Sequence, residues 1–205
     1  HVAGVVHAST VASNALLEGR GAVVALVTTE GFRDVLELRR LRIPVLYDLQ
    51  YQKPGPLVPR QRRFEVRERL GPRGETWREL DETSVREVAA RLEGSGVEAV
   101  AVALLHSYAD DQHERRVEEI LRETIGEEVF VTRSADILPE PREYERTSTA
   151  VVNAYLGPVV GRYVSSLAGR LAALGIDAPL EIMQSSGGTL PPATAARKPA
   201  HLVES

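Results

Sequence analysis

Two short segments carry side chains that could hold a ligand. His7-Ala8-Ser9-Thr10, followed by Asn14, sits where a strand pattern gives way to a helix pattern. A helix N-terminus leaves backbone N–H groups unpaired and carries the positive end of the dipole, so Ser9 and Thr10 hydroxyls there could help hold a phosphate or carboxylate. The same residues also read as an ordinary helix cap beside a packed histidine, the commoner outcome of such a pattern. Gln184-Ser185-Ser186-Gly187-Gly188 follows a short apolar run. A strand that ends in a Gly-Gly turn lets backbone come close to a ligand, and open α/β sheets bind ligands at such strand ends. The plainer alternative is a tight turn. Gly-x-Ser-x-Gly is absent, so this is no nucleophile elbow.

Two further groups are weaker. His106 and His113, with Asp110 and Asp111, could supply metal ligands, but they straddle a strand-to-helix loop where the aspartates read as helix caps. No metal site is expected. Glu140, Arg142, Glu143, Glu145 and Arg146 could form a substrate-facing ion-pair cluster, or the solvated first turn of a helix. There is no Gly-x4-Gly-Lys-Ser/Thr loop and no complete Gly-x-Gly-x-x-Gly fingerprint; Gly19-Arg20-Gly21 precedes a strand.

The elements that must position these groups alternate between strand and helix. Thr10–Glu18 predicts a helix capped by Ser9 or Thr10 and stopped by Gly19 and Gly21. Ala22–Thr28 and Val97–Leu105 are continuous apolar runs, as in strands covered on both faces. Gly31-Phe32-Arg33-Asp34 opens a short helical stretch. The segment 43–60 holds Pro44, Pro54, Pro56 and Pro59, which favours an extended arm. Arg63–Leu70 and Glu75–Leu80 flank Gly71-Pro72-Arg73-Gly74 as a hairpin. Arm and hairpin read as an excursion from the core. A helix follows, capped by Asp81 or by a Ser84-x-x-Glu87 capping box, with Val85, Val88, Ala89 and Leu92 inward. Asp111–Thr124 predicts a helix with Val117, Ile120 and Leu121 inward, and Val129–Thr132 a third strand reached by a right-handed crossover. Pro139 and Pro141 mark a break. Val152, Leu156, Val159, Tyr163, Leu167, Leu171 and Leu174 then step at helical spacing, with Gly157-Pro158 expected to kink or split the helix. Leu180–Met183 predicts a strand. The last fifteen residues show no closing element, and Val203-Glu204-Ser205 reads as an ending within an element.

The 205 residues are 43% hydrophobic and 26% charged, which is ordinary globular composition. Without cysteine there are no disulfides, zinc-thiolate sites or cysteine nucleophiles, which suits a reducing cytosol. A net charge of −4 argues against a sequence-independent nucleic-acid partner. No apolar run is long enough to span a bilayer and no signal-peptide pattern stands at the start, so a cytoplasmic location with no membrane partner is expected.

Taken in order, the segments resemble the hydantoinase A / 5-oxoprolinase family across essentially the whole chain. His7-Ala8-Ser9-Thr10-Val11-Ala12-Ser13-Asn14-Ala15 is similar to its His-Gly-Thr-Thr-x-Ala-Thr-Asn-Ala segment. Thr28-Thr29-x-Gly31-Phe32-Arg33-Asp34, Leu46-Tyr47-Asp48-Leu49 with Lys53-Pro54, and Leu104-Leu105-His106-Ser107-Tyr108 follow in order. Arg142-Glu143-Tyr144-Glu145-Arg146-Thr147-Ser148-Thr149 is the most specific block, and Met183-Gln184-Ser185-Ser186-Gly187-Gly188 closes the set.

The resemblance implies an α/β fold: part of a ribonuclease-H-like (actin/hexokinase-like ATPase) fold, with the proline-rich arm and β-hairpin as an insertion. Residues 1–138 would end the family's N-terminal domain and 139–205 begin the hydantoinase A domain. It implies ATP-dependent opening of cyclic amides such as hydantoins (N-methylhydantoinase activity) or 5-oxoproline, with ATP and Mg²⁺ as cofactors of the whole enzyme. A hydantoinase B-like partner, and oligomerisation, are implied too. Relatives are subunits of ATP-dependent ketone carboxylases, and a non-catalytic assembly subunit is a third reading. His7, Ser9, Thr10 and Asn14, the loop Gln184, Ser185, Ser186, Gly187 and Gly188, and less strongly Asp34 and Arg40, would face the substrate or nucleotide cleft. No general base or nucleophile is assigned. The family's two Asp-x-Gly-Gly-Thr phosphate loops do not occur in the 205 residues, so this piece is expected to be inactive alone and to hold no cofactor tightly. Ala8 stands for the family's Gly, Ser9 and Ser13 for Thr, and Arg39 and Leu41 for Gly and Gln, which implies a substrate different from hydantoin or oxoproline if these positions line the pocket.

Overall fold

The computed structural model describes residues 2–41, 47–48 and 50–203. Pro44, Leu46 and Leu49 of the arm, and Glu204 and Ser205, lie outside the described residues.

Four parallel strand pairings, in two sheets, organise the chain. The elements are β1 (Val5–His7), α1 (Val11–Leu17), β2 (Val24–Thr29), α2 (Val35–Leu38), β3 (Arg63–Val66), β4 (Arg69–Leu70), β5 (Thr76–Arg78), α3 (Glu82–Leu92), β6 (Ala99–Ala103), α4 (Gln112–Ile125), β7 (Phe130–Arg133), α5 (Ser134–Ile137), α6 (Glu143–Ala173), β8 (Leu180–Met183), β9 (Thr189–Leu190) and α7 (Pro192–Arg197). A single 3₁₀ turn precedes β3 and another, Pro199–Leu202, follows α7. The main sheet has the order β3-β2-β6-β7 and is parallel throughout. A smaller sheet has the order β1-β8-β9, with β1 and β8 parallel and in register from Val5↔Leu180 to His7↔Ile182.

The apolar runs of β2 and β6 follow from helices on both faces. Val24, Leu26, Ala99, Ala101 and Ala103 pack with α1 and α6. Ala25, Val27, Val100 and Val102 alternate with them and meet Val85, Val88 and Leu92 of α3 and Val117, Ile120 and Leu121 of α4. The three alanines of β6 let α6 approach closely. Gly21 belongs to the same close packing, because a Cβ there would run into the Tyr155 ring.

Four expectations are corrected. Arg63–Val66 is no part of an excursion: as β3 it forms the edge of the main sheet, and only β4 and β5 make the hairpin insertion. Ser84 is no cap. Asp81 Oδ1 accepts from the N–H groups of Thr83 and Ser84, while Ser84 Oγ donates back to the Asp81 carbonyl at 2.6 Å. Pro158 does not split α6, which runs unbroken for 31 residues; Gly157 seats against the Phe130 ring, and packing on the sheet outweighs the local preference. Its buried face includes Ala150, Val151, Ala154 and Tyr155 and is broader than the expected stripe, while Leu174 is exposed beyond the helix end. Among the described residues, the final stretch does form elements, α7 and the 3₁₀ turn behind it. Pro192 opens α7, a position that needs no N–H, and Asn153 of α6 binds the segment behind it.

Candidate functional site

The small sheet brings the two segments of interest together. His7 pairs with Ile182, so the loops leaving the C-terminal ends of β1 and β8 lie side by side. Ala8, Ser9, Thr10, Met183, Gln184, Ser185 and Leu202 line one open cleft of about 580 Å³. Ser9 Oγ accepts from the Val11 N–H at 3.2 Å, and Thr10 Oγ1 accepts from Asn14 Nδ2 at 3.3 Å. Each hydroxyl is thus fixed as an acceptor by its own helix, which leaves its proton to donate elsewhere. With α1 only seven residues long, these hydroxyls, rather than a helix dipole, are the polar feature here.

The other residues singled out divide by place. Asn14 is exposed and reaches the cleft only through Thr10. His7 Nε2 lies 2.6 Å from the Tyr163 hydroxyl of α6, so its ring fastens β1 to the long helix. Ser186, Gly187 and Gly188 complete the turn from β8 to β9: Gln184 N–H donates to the Gly188 carbonyl at 3.0 Å, and both glycines have positive φ, at 94° and 82°. Asp34 and Arg40 lie apart from that cleft. Asp34 receives Arg60 at 2.9 Å, a hydrogen bond that holds its carboxyl below the ordinary range, and Arg40 pairs with Glu145 of α6.

His106 and His113 do not converge. The His106 ring donates from Nδ1 to the Leu70 carbonyl at 2.7 Å, and buried His113 lies 2.8 Å from Glu68 Oε2. No cluster of three metal-ligating side chains occurs among the described residues. Asp111 holds the cap position of α4 but spends its carboxylate on Arg115 and Arg133, while Asp110, one residue earlier, accepts from the Gln112 N–H.

The acidic-basic run of α6 holds the main surprise. Arg146 is buried, not solvated. Its Nη1 donates to the Leu104 carbonyl at 2.7 Å, to Ser134 Oγ at 2.9 Å and to Ser107 Oγ. Beneath it the fully buried Glu114 accepts from Leu104 N–H, Ser107 Oγ, Ser134 Oγ and Ala135 N–H. Beside it Glu68, His113 and Thr29 form a second buried cluster, in which Thr29 Oγ1 also accepts from the Leu105 N–H. Together they fill the C-terminal ends of the main sheet, beside the point between β2 and β6 where the strand order reverses and where ligands commonly bind. The remaining crevice, between Thr28, Phe32, Leu104 and Arg146, measures about 10 Å³ and admits nothing larger than a water molecule. The sequence carries no sign of this network because its members lie far apart in the chain, and the run holding Arg146 reads by itself as a solvated helical turn.

Family models match along most of the chain: the hydantoinase/oxoprolinase N-terminal region over residues 1–125 and hydantoinase/oxoprolinase over residues 146–205. An uncharacterized protein of Methanocaldococcus jannaschii is 39% identical over 98% of this chain and 30% of its own length. The caprolactamase subunit alpha of Pseudomonas jessenii is 36% identical over 91% of the chain and 27% of its own length. The crystal structure of the ATP-dependent caprolactamase from that organism superposes with a TM-score of 0.87 at 33% identity, over 97% of this chain and 30% of that one. A nucleotide-free acetone carboxylase, from a study of ATP-dependent acetone carboxylation, gives a TM-score of 0.82 at 26% identity, over 96% and 29%. The chain therefore spans about 30% of the length of the relatives it matches most fully. Its mixed α/β fold with parallel sheets is theirs, and with a family model covering residues 1–125 the chain belongs to the hydantoinase/oxoprolinase family.

Proposed function

We propose that this chain forms part of an ATP-dependent enzyme that opens cyclic amides, and that the cleft between the β1 and β8 loops faces its nucleotide or substrate. The observation that carries the reading is the convergence of Ser9-Thr10 and Gln184-Ser185, from segments far apart in sequence, on one cleft at the C-terminal ends of parallel strands. Membership of the hydantoinase/oxoprolinase family supports the reaction class, and the likeness to a caprolactamase supports a lactam-type substrate.

The donor set of the cleft suits oxygen acceptors. Ser9 and Thr10 have hydroxyl protons to give, and Gln184 and Ser185 add an amide and a further hydroxyl. Such groups match phosphate or carbonyl oxygens. They offer no carboxylate, the usual protein anchor of Mg²⁺. ATP would activate an amide oxygen by phosphorylation; this chain's residues would bind and orient. With no Asp-x-Gly-Gly-Thr segment among its 205 residues, the chain alone is proposed to turn over no ATP, and a ribonuclease-H-like arrangement would be completed by other parts of the enzyme. A hydantoinase B-like partner, an oligomeric enzyme and a cytoplasmic location belong to the same proposal; among the described residues no helix is long and apolar enough to cross a membrane.

The test is ADP release by the protein encoded by the complete reading frame, with its partner subunit, in the presence of lactams and imides. Lactam-dependent ADP release is expected, and Ser9→Ala or Thr10→Ala should raise the KM for one ligand by about tenfold, the worth of one hydrogen bond to a charged group. Bicarbonate- and ketone-dependent release in place of it would reassign the enzyme to the carboxylase branch that the acetone carboxylase likeness represents.

A further inference from the structure

A second cavity lies between α2, the proline-rich arm and α6. It measures about 150 Å³, the size that holds a single six-membered ring. One wall is a face of α6: Tyr144, Ser148 and Val151 stand at positions i, i+4 and i+7. The opposite walls are apolar, with Leu36 from α2 and Pro56 and Leu57 from the arm. Arg39 closes one side and ties the two walls together, because its Nη2 donates to the Pro54 carbonyl.

Three features mark this cavity as built for a ligand. Among the described residues, neither the Tyr144 nor the Ser148 hydroxyl has a hydrogen-bond partner. Arg39 uses one nitrogen on Pro54 and keeps further donors. Its backbone sits at φ 55°, ψ −136°, a region that favours glycine. A side chain kept at a strained position, at the rim of a cavity, is the pattern of a functional residue. Tyr144 and Ser148 also come from the block Arg142–Thr149, which the Ser9–Gln184 cleft leaves unexplained.

We propose that this cavity binds the cyclic amide itself, as a five- or six-membered ring. The ring lies between Pro56, Leu36 and Val151, its carbonyl oxygen accepts from Tyr144 and Ser148, and a ring carboxylate, where present, pairs with Arg39. The ligand class rests on the reaction proposed above; Arg39 at the rim deepens it by preferring a ring that carries a carboxylate. Phosphate-bearing ligands are left to the Ser9–Gln184 cleft.

Titration calorimetry and ligand-observed NMR on the full 205-residue chain test this with three probes: 2-pyrrolidinone, 5-oxoproline and caprolactam. Saturable binding of 5-oxoproline and 2-pyrrolidinone is expected, tightest for 5-oxoproline, whose carboxylate meets Arg39. Tyr144→Phe and Ser148→Ala should each weaken both by about tenfold, one hydrogen bond's worth, and Arg39→Gln should weaken only 5-oxoproline. Unchanged melting temperatures would show that these partly exposed positions leave the fold intact. No saturable binding, or binding that ignores Tyr144→Phe and Ser148→Ala, overturns the proposal. Lactam-dependent ADP release by the complete enzyme is read separately. If it persists while binding here fails, the reaction class stands and only this site falls; if lactams bind here without driving ADP release, the reverse holds.

Discussion

The Glu114 carboxylate and the Arg146 guanidinium lie 3.8 Å apart, both sealed from water, and are joined through the hydroxyls of Ser107 and Ser134. Glu114 comes from the first turn of α4, and Arg146 from the first turn of α6. The pair fastens two helices from opposite faces of the main sheet to the ends of β6 and β7.

Removing either charge should therefore be expensive. A buried pair adds little over an apolar substitute, but breaking it strands the other charge. Arg146→Met is expected to lower unfolding free energy by about 3–5 kcal/mol, read from urea denaturation near neutral pH. The loss for Glu114→Gln should be the smaller, because burial already favours the uncharged carboxyl that the amide imitates.

The same pair sets a pH dependence with a definite sign. Burial pushes the Glu114 carboxyl above its ordinary range, opposed by hydrogen bonds from Ser134, Ala135 and Leu104 and by Arg146. Above the unfolded value, about 4.3, the folded state then binds the extra proton, so this group's contribution declines as pH rises through its folded pKa. Asp81 acts oppositely. Its hydrogen bond from Arg67 lowers its pKa, so its contribution is present above the unfolded value and is lost as pH falls through the folded one. Urea midpoints followed from pH 3 upward should thus show an acid limb that Asp81→Asn shallows. The decline above about pH 4.3 should be flattened by Glu114→Gln instead. The same slope in wild type and Glu114→Gln would show that burial does not set it.

At Gly157 and Pro158, packing and propensity pull in opposite directions. A Cβ at 157 would lie 2.5 Å from the Phe130 ring, so Gly157→Ala should destabilise by about 1–3 kcal/mol, although alanine is the better helix former. Pro158 has no N–H to give the Ala154 carbonyl, so Pro158→Ala should stabilise by about 1–3 kcal/mol. Denaturation of the two variants side by side would separate these effects. Equal and same-signed changes would mean that one cause governs both positions.

These cases mark what the sequence made legible. Strand Leu180–Met183 and the inward faces of α3 and α4 match expectation, because unbroken apolar runs and 3.6-residue spacing are local signals that burial reinforces. The family resemblance likewise rested on residues that can be read one segment at a time. What stayed hidden is non-local. Nothing in Arg63–Val66 says that it pairs with β2, and nothing in the charged run at 142–146 says that Arg146 points inward while Glu145 reaches Arg40. Ser9 and Gln184 could be proposed separately as ligand-facing; that they share a cleft follows only from the parallel pairing of β1 with β8. The cavity at Tyr144 needed the arm folded back on α6, which proline density alone does not specify.

Asn153 gives the sharpest test of how the final residues are held. It is fully buried in α6, and it ties three pieces together. Its Nδ2 donates to Thr132 Oγ1 of β7 at 3.0 Å and to the Arg197 carbonyl at 2.9 Å, and its Oδ1 accepts from the Ala200 N–H at 3.1 Å. Only an amide offers donors and an acceptor together at that spot. Asn153→Ala leaves a buried carbonyl and N–H without partners and should cost about 2–4 kcal/mol. Asn153→Asp keeps the acceptor for Ala200 but sets a buried carboxylate against the Arg197 carbonyl, so it should be at least as damaging near neutral pH and partly recovered in acid. Hydrogen exchange localises the effect: protection at Ala200 should fall in Asn153→Ala while β2 and β6 stay protected. If exchange rises uniformly instead, α7 and the turn behind it are one cooperative unit with the main sheet, and Asn153 is not their separate latch.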